Sequence, residues 1–304
     1  MNIYLSGYLD RNLGDDLMLK IIAYRFREHN FYVSVKKEEL FIPFENEPNM
    51  YMLKPDDKIN FDMGLTVTGS GFIIRGVTSI LYFLKEEFER RRLVKGLKNA
   101  VIGCNIGPYR GLIGKILVKW KVRSYDLISV RDKASYDFVK KYSKKSILEI
   151  HPDLVFSMPD EWIPDVECEG HLGISTYRSN FESNLHYYKT IAKTADKFIE
   201  QTKRKVLLFA FDVEQENDLC SAYTILSMMK HKEYAEIIAH TDDGSNILYN
   251  LKRCGGILTA RFHMAILATR FCLPFVPIAY SNKTVNALND FGYEGEIFDI
   301  HSIS

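Results

Sequence analysis

Residues 255–280 have the sequence Gly255-Gly-Ile-Leu-Thr-Ala-Arg-Phe-His-Met-Ala-Ile-Leu-Ala-Thr-Arg-Phe-Cys-Leu-Pro-Phe-Val-Pro-Ile-Ala-Tyr280. This pattern predicts a short apolar strand, an abrupt turn, an apolar helix and a second apolar strand. The turn carries Arg261 and His263, two basic residues within an otherwise apolar stretch. Charged side chains are rarely buried without a partner, and the N–H groups at a helix start favour anions. The stretch therefore predicts an anion-binding turn in an α/β sheet.

The same alternation of strand and helix patterns continues along the rest of the chain. Strands are predicted at 2–6, 31–35, 61–68, 99–105, 127–130, 147–150, 171–175, 206–211, 235–238, 256–259, 275–278 and 296–300. A stretch at about 159–169 is rich in proline and acidic residues and lacks periodicity, which predicts a linker. We expect an α/β protein with two Rossmann-like, doubly wound domains facing each other across a cleft. Domain 1–158 would provide the acceptor side and part of the donor site, and domain 170–304 the rest of the donor site.

The composition excludes several classes of function. The formal net charge of the 304 residues is +1, so bulk electrostatics favours neither nucleic acid nor an anionic membrane. The five cysteines show no metal-binding spacing, which predicts reduced, buried thiols in a cytoplasmic protein without a metal. The sequence contains no uninterrupted run of about 18 apolar residues, so no membrane span is expected. The first loop has no GxGxxG pattern, and we expect no nicotinamide, flavin or other cofactor.

Candidate site residues follow several predicted strands, where an open parallel sheet presents its ligand-binding groups. They are Asp15, Ser70, Arg131, Arg178, Arg261 and His263. Arginine provides a planar fork for carboxylate or phosphate, and histidine can donate a proton near neutral pH. Structural alternatives remain open for three of these positions. Asp15 could cap a helix or stabilise its first turn. The sequence around Ser70 could be a plain tight turn, and Arg131 could form a structural ion pair.

A predicted helix at 110–123 alternates basic and apolar residues. Its basic residues are Arg110, Lys115, Lys119, Lys121 and Arg123. The pattern is typical of a surface helix with a basic outer face. It also fits a helix that lies against a membrane surface or a lipid-linked substrate. At most a peripheral membrane contact is expected.

An ordered set of motifs resembles the polysaccharide pyruvyl transferase family nearly from end to end. The motifs are Asn12-Leu-Gly-Asp-Asp-Leu, Gly69-Ser-Gly-Phe, Gly103-Cys-Asn-Ile-Gly-Pro, Ser129-Val-Arg-Asp-Lys-Ala-Ser, His151-Pro-Asp-Leu-Val-Phe, Thr259-Ala-Arg-Phe-His-Met-Ala-Ile-Leu-Ala and Leu273-Pro-Phe-Val-Pro-Ile-Ala-Tyr-Ser-Asn-Lys. Each early motif is loose alone, whereas the ordered set with Arg-Phe-His and Tyr-x-x-Lys is specific. The acidic stretch Asp212-Val-Glu-Gln-Glu-Asn-Asp218 departs from the family pattern.

The resemblance implies a fold similar to the B-type glycosyltransferases and a transfer from phosphoenolpyruvate that forms a pyruvate ketal on a sugar. Its phosphoenolpyruvate-binding residues would be Asp15, Arg131, Arg261, the backbone of Phe262, and His263, with Arg178 as the alternative to Arg131. Acceptor or loop contacts would come from Asn12, Gly14, Ser70, Gly71, Tyr280 and Lys283. His263 would be the acid, Asp15 the base or acceptor-orienting carboxylate, and Arg261 the group that stabilises the departing phosphate.

The family expectation for the acceptor is a surface-polysaccharide precursor on a lipid carrier, which would place the enzyme in the cytoplasm at the inner face of the membrane. Two other interpretations remain open from the sequence. One is a glycosyltransferase of similar two-domain fold that uses a nucleotide-sugar. The other is a non-catalytic carbohydrate-binding protein that kept the fold. The acceptor sugar, the ketal stereochemistry and the oligomeric state are not determined by the sequence.

Overall fold

A computed structural model describes residues 1–69, 72–74, 76–178, 181–279, 285, 288–289 and 292–300, with only the backbone described at 181–184. The chain forms two compact units. Unit 1 contains Met1–Leu9 and Asp15–Ser157, and unit 2 contains Asp10–Gly14 and Met158–Ser304. That Asp10–Gly14 belongs to the second unit was not predicted from the sequence. The stretch predicted as a linker contains a short 3-10 helix at Asp160–Trp162.

Unit 1 is built on a seven-stranded sheet. Its strands are β1 (Asn2–Gly7), β2 (Asn30–Val33), β3 (Met50–Met52), β4 (Met63–Val67), β5 (Lys98–Cys104), β6 (Leu127–Val130) and β7 (Ile147–Ile150). Their order is β3-β2-β1-β4-β5-β6-β7, and all neighbouring pairs are parallel. In the β6–β7 register Val130 lies opposite Ile150, so the residues that follow both strands emerge at the same edge. This carboxyl edge is where a parallel sheet presents ligand-binding side chains.

Among the described residues, this unit has four α-helices, three of which lie between β4 and β7 in the chain. The helices are α1 (Leu13–Arg25), α2 (Val77–Leu93), α3 (Gly111–Val122) and α4 (Lys133–Tyr142). A buried cluster includes Phe72, Phe83, Val118, Val122 and Tyr125 and joins α2 and α3 to the sheet. Burying one such side chain contributes about 1.5–3 kcal/mol to stability. Helix positions are therefore fixed by packing, and the loops at the carboxyl edge project from a rigid base.

Unit 2 is built on a second parallel sheet. Its strands are β8 (His171–Ser175), β9 (Val206–Ala210), β10 (Ala235–Ala239), β11 (Cys254–Thr259), β12 (Phe275–Ala279) and β13 (Phe298–Asp299), in the order β10-β9-β8-β11-β12-β13. The helices are α5 (Phe181–Thr202), α6 (Asp218–Met228), α7 (Ser245–Lys252) and α8 (Phe262–Arg270). Ser175 pairs with Thr259 and with Phe209. The loops after β8, β9 and β11 therefore begin side by side.

The two α/β units with parallel sheets confirm the predicted fold class, although some local predictions were wrong. The polar stretch before residue 60 contains β3 and a 3-10 helix at Glu38–Phe44 that were missed. Lys121 is buried rather than on the outer face of its helix. The helix predicted from residue 282 begins outside the described residues. Because β3 has only three residues, its sequence carries too short a pattern to recognise.

Three of the five cysteines were also placed incorrectly. Cys168, Cys220 and Cys272 are exposed, whereas Cys104 and Cys254 are buried as expected. Cys168 lies in the loop before β8, and Cys272 follows α8, so neither is inside the apolar elements that flank it. None of the helices that the structure describes has the length and apolar character needed to cross a membrane.

Candidate functional site

The turn between β11 and α8 is held by hydroxyl groups from two neighbouring strands. The Ser175 hydroxyl oxygen accepts hydrogen bonds from the backbone N–H groups of Ala260 (3.0 Å) and Arg261 (3.1 Å). Thr259 Oγ1 also accepts from the Arg261 N–H at 3.0 Å. These contacts satisfy backbone donors in a buried turn, where an unpaired N–H would be costly. They fix the point at which the Arg261 side chain leaves the sheet.

The Arg261 guanidinium is buried and bound by two carboxylates. Its Nε donates to Asp218 Oδ2 at 3.0 Å, and its Nη2 donates to Asp218 Oδ1, so the pair is bidentate. Its Nη1 donates to Glu216 Oε2. The Tyr177 ring lies beneath the guanidinium, with 5.0 Å between Arg261 Cζ and the ring centroid. The plane of the guanidinium is therefore fixed by its neighbours.

The two carboxylates differ in exposure. The Asp218 side chain is 0% exposed, whereas that of Glu216 is 47% exposed. Asp218 Oδ2 also accepts from the backbone N–H groups of Phe211 (3.2 Å) and Asp212 (3.1 Å). Burial raises the pKa of the Asp218 carboxyl above its ordinary value, although the charge of Arg261 opposes the shift. Asp218 is thus a fixed partner of Arg261, while Glu216 can exchange with solvent.

The loop after β9 is organised by a second buried carboxylate, Asp212. Its Oδ1 accepts from the backbone N–H groups of Gln215 and Glu216, both at 2.9 Å, and its Oδ2 accepts from Asn12 Nδ2 at 3.3 Å. Burial raises the pKa of Asp212, against the effect of the Glu216 N–H. Asn12, predicted as an acceptor or loop contact, therefore orients the loop that carries Glu216.

His263 lies in the first turn of α8 and is partly exposed. Its ring is 5.8 Å from the ring of Phe262, measured between centroids. Gly14 lies against the other side of the imidazole. A Cβ atom added to Gly14 would come within 1.8 Å of His263 Nδ1, a distance no side chain can adopt. Gly14 is therefore required for the position of the His263 ring.

In unit 1, Arg131 follows β6 and contacts residues of three other predicted motifs. Its Nε donates to Asn105 Oδ1, its Nη1 to Asp153 Oδ2, and its Nη2 to the carbonyl of Gly69 at 3.2 Å. A Cβ on Gly69 would lie 3.0 Å from both terminal nitrogens of Arg131, which explains the glycine. The ion pair with Asp153 agrees with the structural alternative for Arg131 and leaves its role in donor binding as a prediction.

Asp132, the residue after Arg131, precedes α4 and extends this cluster. Asp132 caps the helix, because its Oδ1 accepts from the Ser135 N–H at 2.7 Å. Its Oδ2 accepts from Asn105 Nδ2. The Ser135 hydroxyl in turn accepts from the backbone N–H of Ile106 at 2.7 Å. Asn105 therefore bridges Arg131 to the start of α4.

The remaining predicted residues are placed as follows. Asp15 is a partly buried residue in the first turn of α1, and Arg178 is exposed after β8. Ser70, Gly71, Tyr280 and Lys283 lie outside the described residues. Within the described part of the chain, no group of three or more histidine, cysteine, aspartate or glutamate side chains could hold a metal ion.

Sequence reasoning missed the side chains that hold the two arginines. These are Asn105, Asp153, Glu216 and Asp218. A signal was present for each, since Asn105 ends a predicted strand, the other three follow predicted strands, and parallel strands bring such positions to one edge. The acidic stretch 212–218 was also visible as a departure from the family pattern, although its contact with Arg261 was not.

A family model described as "Polysaccharide pyruvyl transferase" matches residues 12–282 of the chain. A search of curated proteins found no match to this sequence. The match spans the two clusters around Arg131 and Arg261 and the segment that contains Gly14.

Several solved structures have a fold similar to that of this chain. UDP-GlcNAc 2-epimerase from Neisseria meningitidis, bound to UDP-GlcNAc, has a TM-score of 0.57 and 9% identity, over 96% of this chain and 90% of that chain. MnaA from S. aureus, solved with UDP, has a TM-score of 0.57 and 12% identity, over 92% and 78%. UGT73P12 from Glycyrrhiza uralensis, complexed with glycyrrhetinic acid 3-O-monoglucuronide, has a TM-score of 0.52 and 8% identity, over 98% and 80%. At these identities the likeness establishes a fold like that of the B-type glycosyltransferases.

Proposed function

The chain belongs to the polysaccharide pyruvyl transferase family, and on this premise we propose that phosphoenolpyruvate is its donor. The reaction would move the enolpyruvyl-derived group to a sugar of a surface-polysaccharide precursor. A sugar hydroxyl forms a bond to C2 of phosphoenolpyruvate as the methylene carbon accepts a proton. A second hydroxyl then forms the other C2–O bond, the bond from C2 to the phosphate oxygen breaks, and the product is a pyruvate ketal plus phosphate.

The observation that carries this proposal is the arrangement at the start of α8. Arg261, held in one plane by Asp218, is followed within the same turn by His263, at the positive end of the helix dipole. A small donor with a carboxylate and a phosphate suits this turn, because Arg261 and the helix start can bind its anionic groups and His263 can donate a proton. In the proposed mechanism Arg261 stabilises charge on the departing phosphate, and His263 protonates the methylene carbon.

Asp15 and Arg131 complete the proposed set. Asp15 would accept the proton of the attacking hydroxyl or orient the acceptor, and Arg131 would bind an anionic group of the donor. Arg178 remains the alternative to Arg131. The exposed position of Arg178 favours Arg131, whose guanidinium is already oriented by Asn105 and Asp153. We propose further that the acceptor sugar is carried on a lipid and that the reaction takes place at the cytoplasmic face of the membrane.

Two matched pairs of variants test the proposal. Arg261→Ala and His263→Ala should each lower phosphate release from phosphoenolpyruvate by about 100- to 1,000-fold. The controls are Arg270→Ala at the opposite end of α8 and His186→Ala at an exposed position of α5, both with wild-type turnover. Acceptors would be disaccharides on a polyprenyl diphosphate, and mass spectrometry would detect the ketal. Near-wild-type turnover in both Arg261→Ala and His263→Ala would contradict the proposed function.

A nucleotide-sugar glycosyltransferase is the alternative, because structurally similar proteins were solved with UDP or UDP-GlcNAc. Thermal-shift titration separates the two without an acceptor. A ligand that binds the folded state stabilises it by RT ln(1 + [L]/Kd). Phosphoenolpyruvate should raise the melting temperature of wild type and not of Arg261→Ala. A shift with nucleotide-sugars alone would favour the alternative.

A further inference from the structure

Two neighbouring helices of unit 1 expose an unusual amount of apolar surface. On α3, the side chains of Leu112 (74%), Ile113 (64%) and Ile116 (53%) are largely exposed. On α2, Val77, Leu81 and Phe88 are exposed to a similar extent. These six residues are called the α2–α3 face below. A cluster of large exposed apolar side chains on a folded domain usually marks an interaction site.

The residues of this face lie on one side of two adjacent helices. Val77, Leu81 and Phe88 recur at a spacing that puts them on one side of α2. At the helix starts, the Arg110 N–H donates to the Ile74 carbonyl at 2.9 Å. Near the helix ends, the rings of Phe88 and Trp120 are 5.9 Å apart, measured between centroids. The helices therefore run side by side in the same direction, and their exposed apolar residues form a common surface.

A buried ionic network holds α2 and α3 in this arrangement. Glu87 Oε1 accepts from Arg90 Nη2 and from Arg91 Nε, both at 2.7 Å, and Arg90 Nη2 also donates to Ser124 Oγ at 2.7 Å. Lys121 is buried over the Phe83 ring, with Nζ 5.0 Å from the centroid. These charges face inward, whereas the outer side of α2 carries exposed charged residues beside its apolar ones, namely Lys85, Glu86, Glu89 and Arg92. The face is thus a fixed platform.

Positive charge is concentrated beside this platform. Lys115 and Lys119 lie on α3 among its exposed apolar residues, and Lys119 Nζ is 3.9 Å from the centroid of the Tyr142 ring. Desolvation raises the pKa of the Tyr142 hydroxyl, but the charges of Lys115, Lys119 and Lys141 outweigh it and lower this pKa. Three lysines therefore lie close together at one side of the face. α3 contains no acidic residue.

We propose that the α2–α3 face is a membrane-docking surface for a bilayer that contains anionic phospholipids. Its apolar side chains would enter the interface between headgroups and acyl chains, and the adjacent lysines would contact the headgroup phosphates. Val77, Leu81, Leu112, Ile113 and Ile116 lie in the first two turns of their helices, next to the carboxyl edge of the sheet. Arg131 follows β6 at that edge. Docking would present a lipid-carried acceptor there, and this last step rests on the proposed function.

The test is co-sedimentation of the full chain with vesicles of phosphatidylcholine alone or mixed with phosphatidylglycerol. Wild type should bind the mixed vesicles more tightly. Ile113→Ser with Ile116→Ser should weaken this binding by about tenfold or more, since two half-exposed isoleucines lose their transfer to the lipid. Lys115→Gln with Lys119→Gln should weaken it by about fivefold per lysine and reduce its salt dependence. All four positions are at least partly exposed, so the variants should fold.

Matched controls make the same isoleucine-to-serine and lysine-to-glutamine changes at exposed positions elsewhere in unit 1. Ile147→Ser with Ile150→Ser alters exposed residues of the edge strand β7, and Lys54→Gln with Lys58→Gln alters an exposed loop. Both should bind as wild type does. The docking surface is overturned if wild type does not bind anionic vesicles, or if the serine variant binds them equally well. It is also overturned if the face mediates a dimer that the serine variant disrupts.

A second readout separates this inference from the proposed function. Pyruvyl transfer to a lipid-free acceptor should be unchanged in the double serine variant and in the double glutamine variant of α3. Transfer to a lipid-linked acceptor in vesicles should fall in proportion to the loss of vesicle binding. If wild type turns over neither acceptor, the proposed function fails. Vesicle binding by the variants and controls would still decide the docking surface.

Discussion

Arg131 and Arg261 occupy equivalent places in their own units, because each follows a parallel strand at the carboxyl edge of a sheet. Their surroundings differ. Arg131 donates to an amide, a backbone carbonyl and the buried carboxylate of Asp153. Arg261 is bound bidentately by the buried Asp218 and also by Glu216, whose side chain is half exposed.

The two clusters therefore differ in how the guanidinium is held. The partners of Arg131 orient it, whereas Arg261 also has a partly exposed partner that it can exchange. In both clusters a buried carboxylate fixes the guanidinium. Removing that carboxylate would leave the buried guanidinium charge without a partner. Around Arg261 the partly exposed Glu216 carboxylate binds the guanidinium as well. To bind an anion, Arg131 is preorganised by its partners, whereas Arg261 would have to exchange Glu216 for an oxygen of that anion.

The largest effect is expected on stability, when the buried carboxylate that holds Arg131 is removed. Asp153→Asn should lower the free energy of unfolding by about 3–5 kcal/mol, because the buried Arg131 guanidinium would lose its charged partner. The amide NH2 would also face a donor in either orientation, since both oxygens of Asp153 accept, one from Arg131 and one from the Val155 N–H. Chemical denaturation measures this change. Arg131→Met combined with Asp153→Leu should recover much of the stability but not the phosphoenolpyruvate-dependent activity.

The matched control for this change is Asp137→Asn. Asp137 pairs with Lys133 at 3.2 Å on the surface of α4 in the same unit, and both side chains are more than half exposed. Its loss should cost no more than about 1 kcal/mol. If Asp153→Asn cost as little as the control, Arg131 would not depend on Asp153, and the contrast between orientation and exchange would be wrong for unit 1.

The fold was more predictable from sequence than the surroundings of the two arginines. The β6, β7 and β8 strands were predicted at the residues where they occur, because apolar runs bounded by turns are a local signal. The motifs also pointed to Arg131 and Arg261. Their partners could not be assigned, because Asp153 and Asp218 reach them through the strand order, which a single sequence does not specify. The placement of Asp10–Gly14 with unit 2 depends in the same way on tertiary contacts.

A second prediction concerns the imidazole next to Arg261. Gly14→Ala would push the His263 ring away, because the new methyl group would come within 1.8 Å of Nδ1. If His263 is the proton donor, kcat should fall by about 100-fold, since small displacements of a catalytic group cost this much. Turnover of phosphoenolpyruvate measures it, with the melting temperature as a check on folding.

Gly76→Ala is the control for the glycine replacement. No atom lies within 4 Å of a Cβ placed on Gly76, so the methyl group enters open space at the start of α2. This variant should turn over as wild type does. Equal turnover of the two variants would mean that the position of the His263 ring is not critical, and the acid role would have to be reassigned.

The smallest effect is expected for the exchangeable carboxylate. Glu216→Gln should lower the KM for phosphoenolpyruvate by about two- to fivefold, because a partly exposed ion pair with Arg261 would no longer compete with the donor. The kcat should not change, since Asp218 still fixes the guanidinium plane. Initial rates at several phosphoenolpyruvate concentrations give both constants.

Glu214→Gln makes the same change in net charge from an exposed position of the same loop and separates local competition from general electrostatics. If both variants lower KM equally, the effect is that of net charge on an anionic substrate, and Glu216 has no special place. A fall in KM for Glu216→Gln alone would support exchange at Arg261. A rise in KM for Glu216→Gln alone would contradict exchange, because Glu216 would then act with Asp218 to orient the guanidinium, and the two arginine clusters would work in the same way.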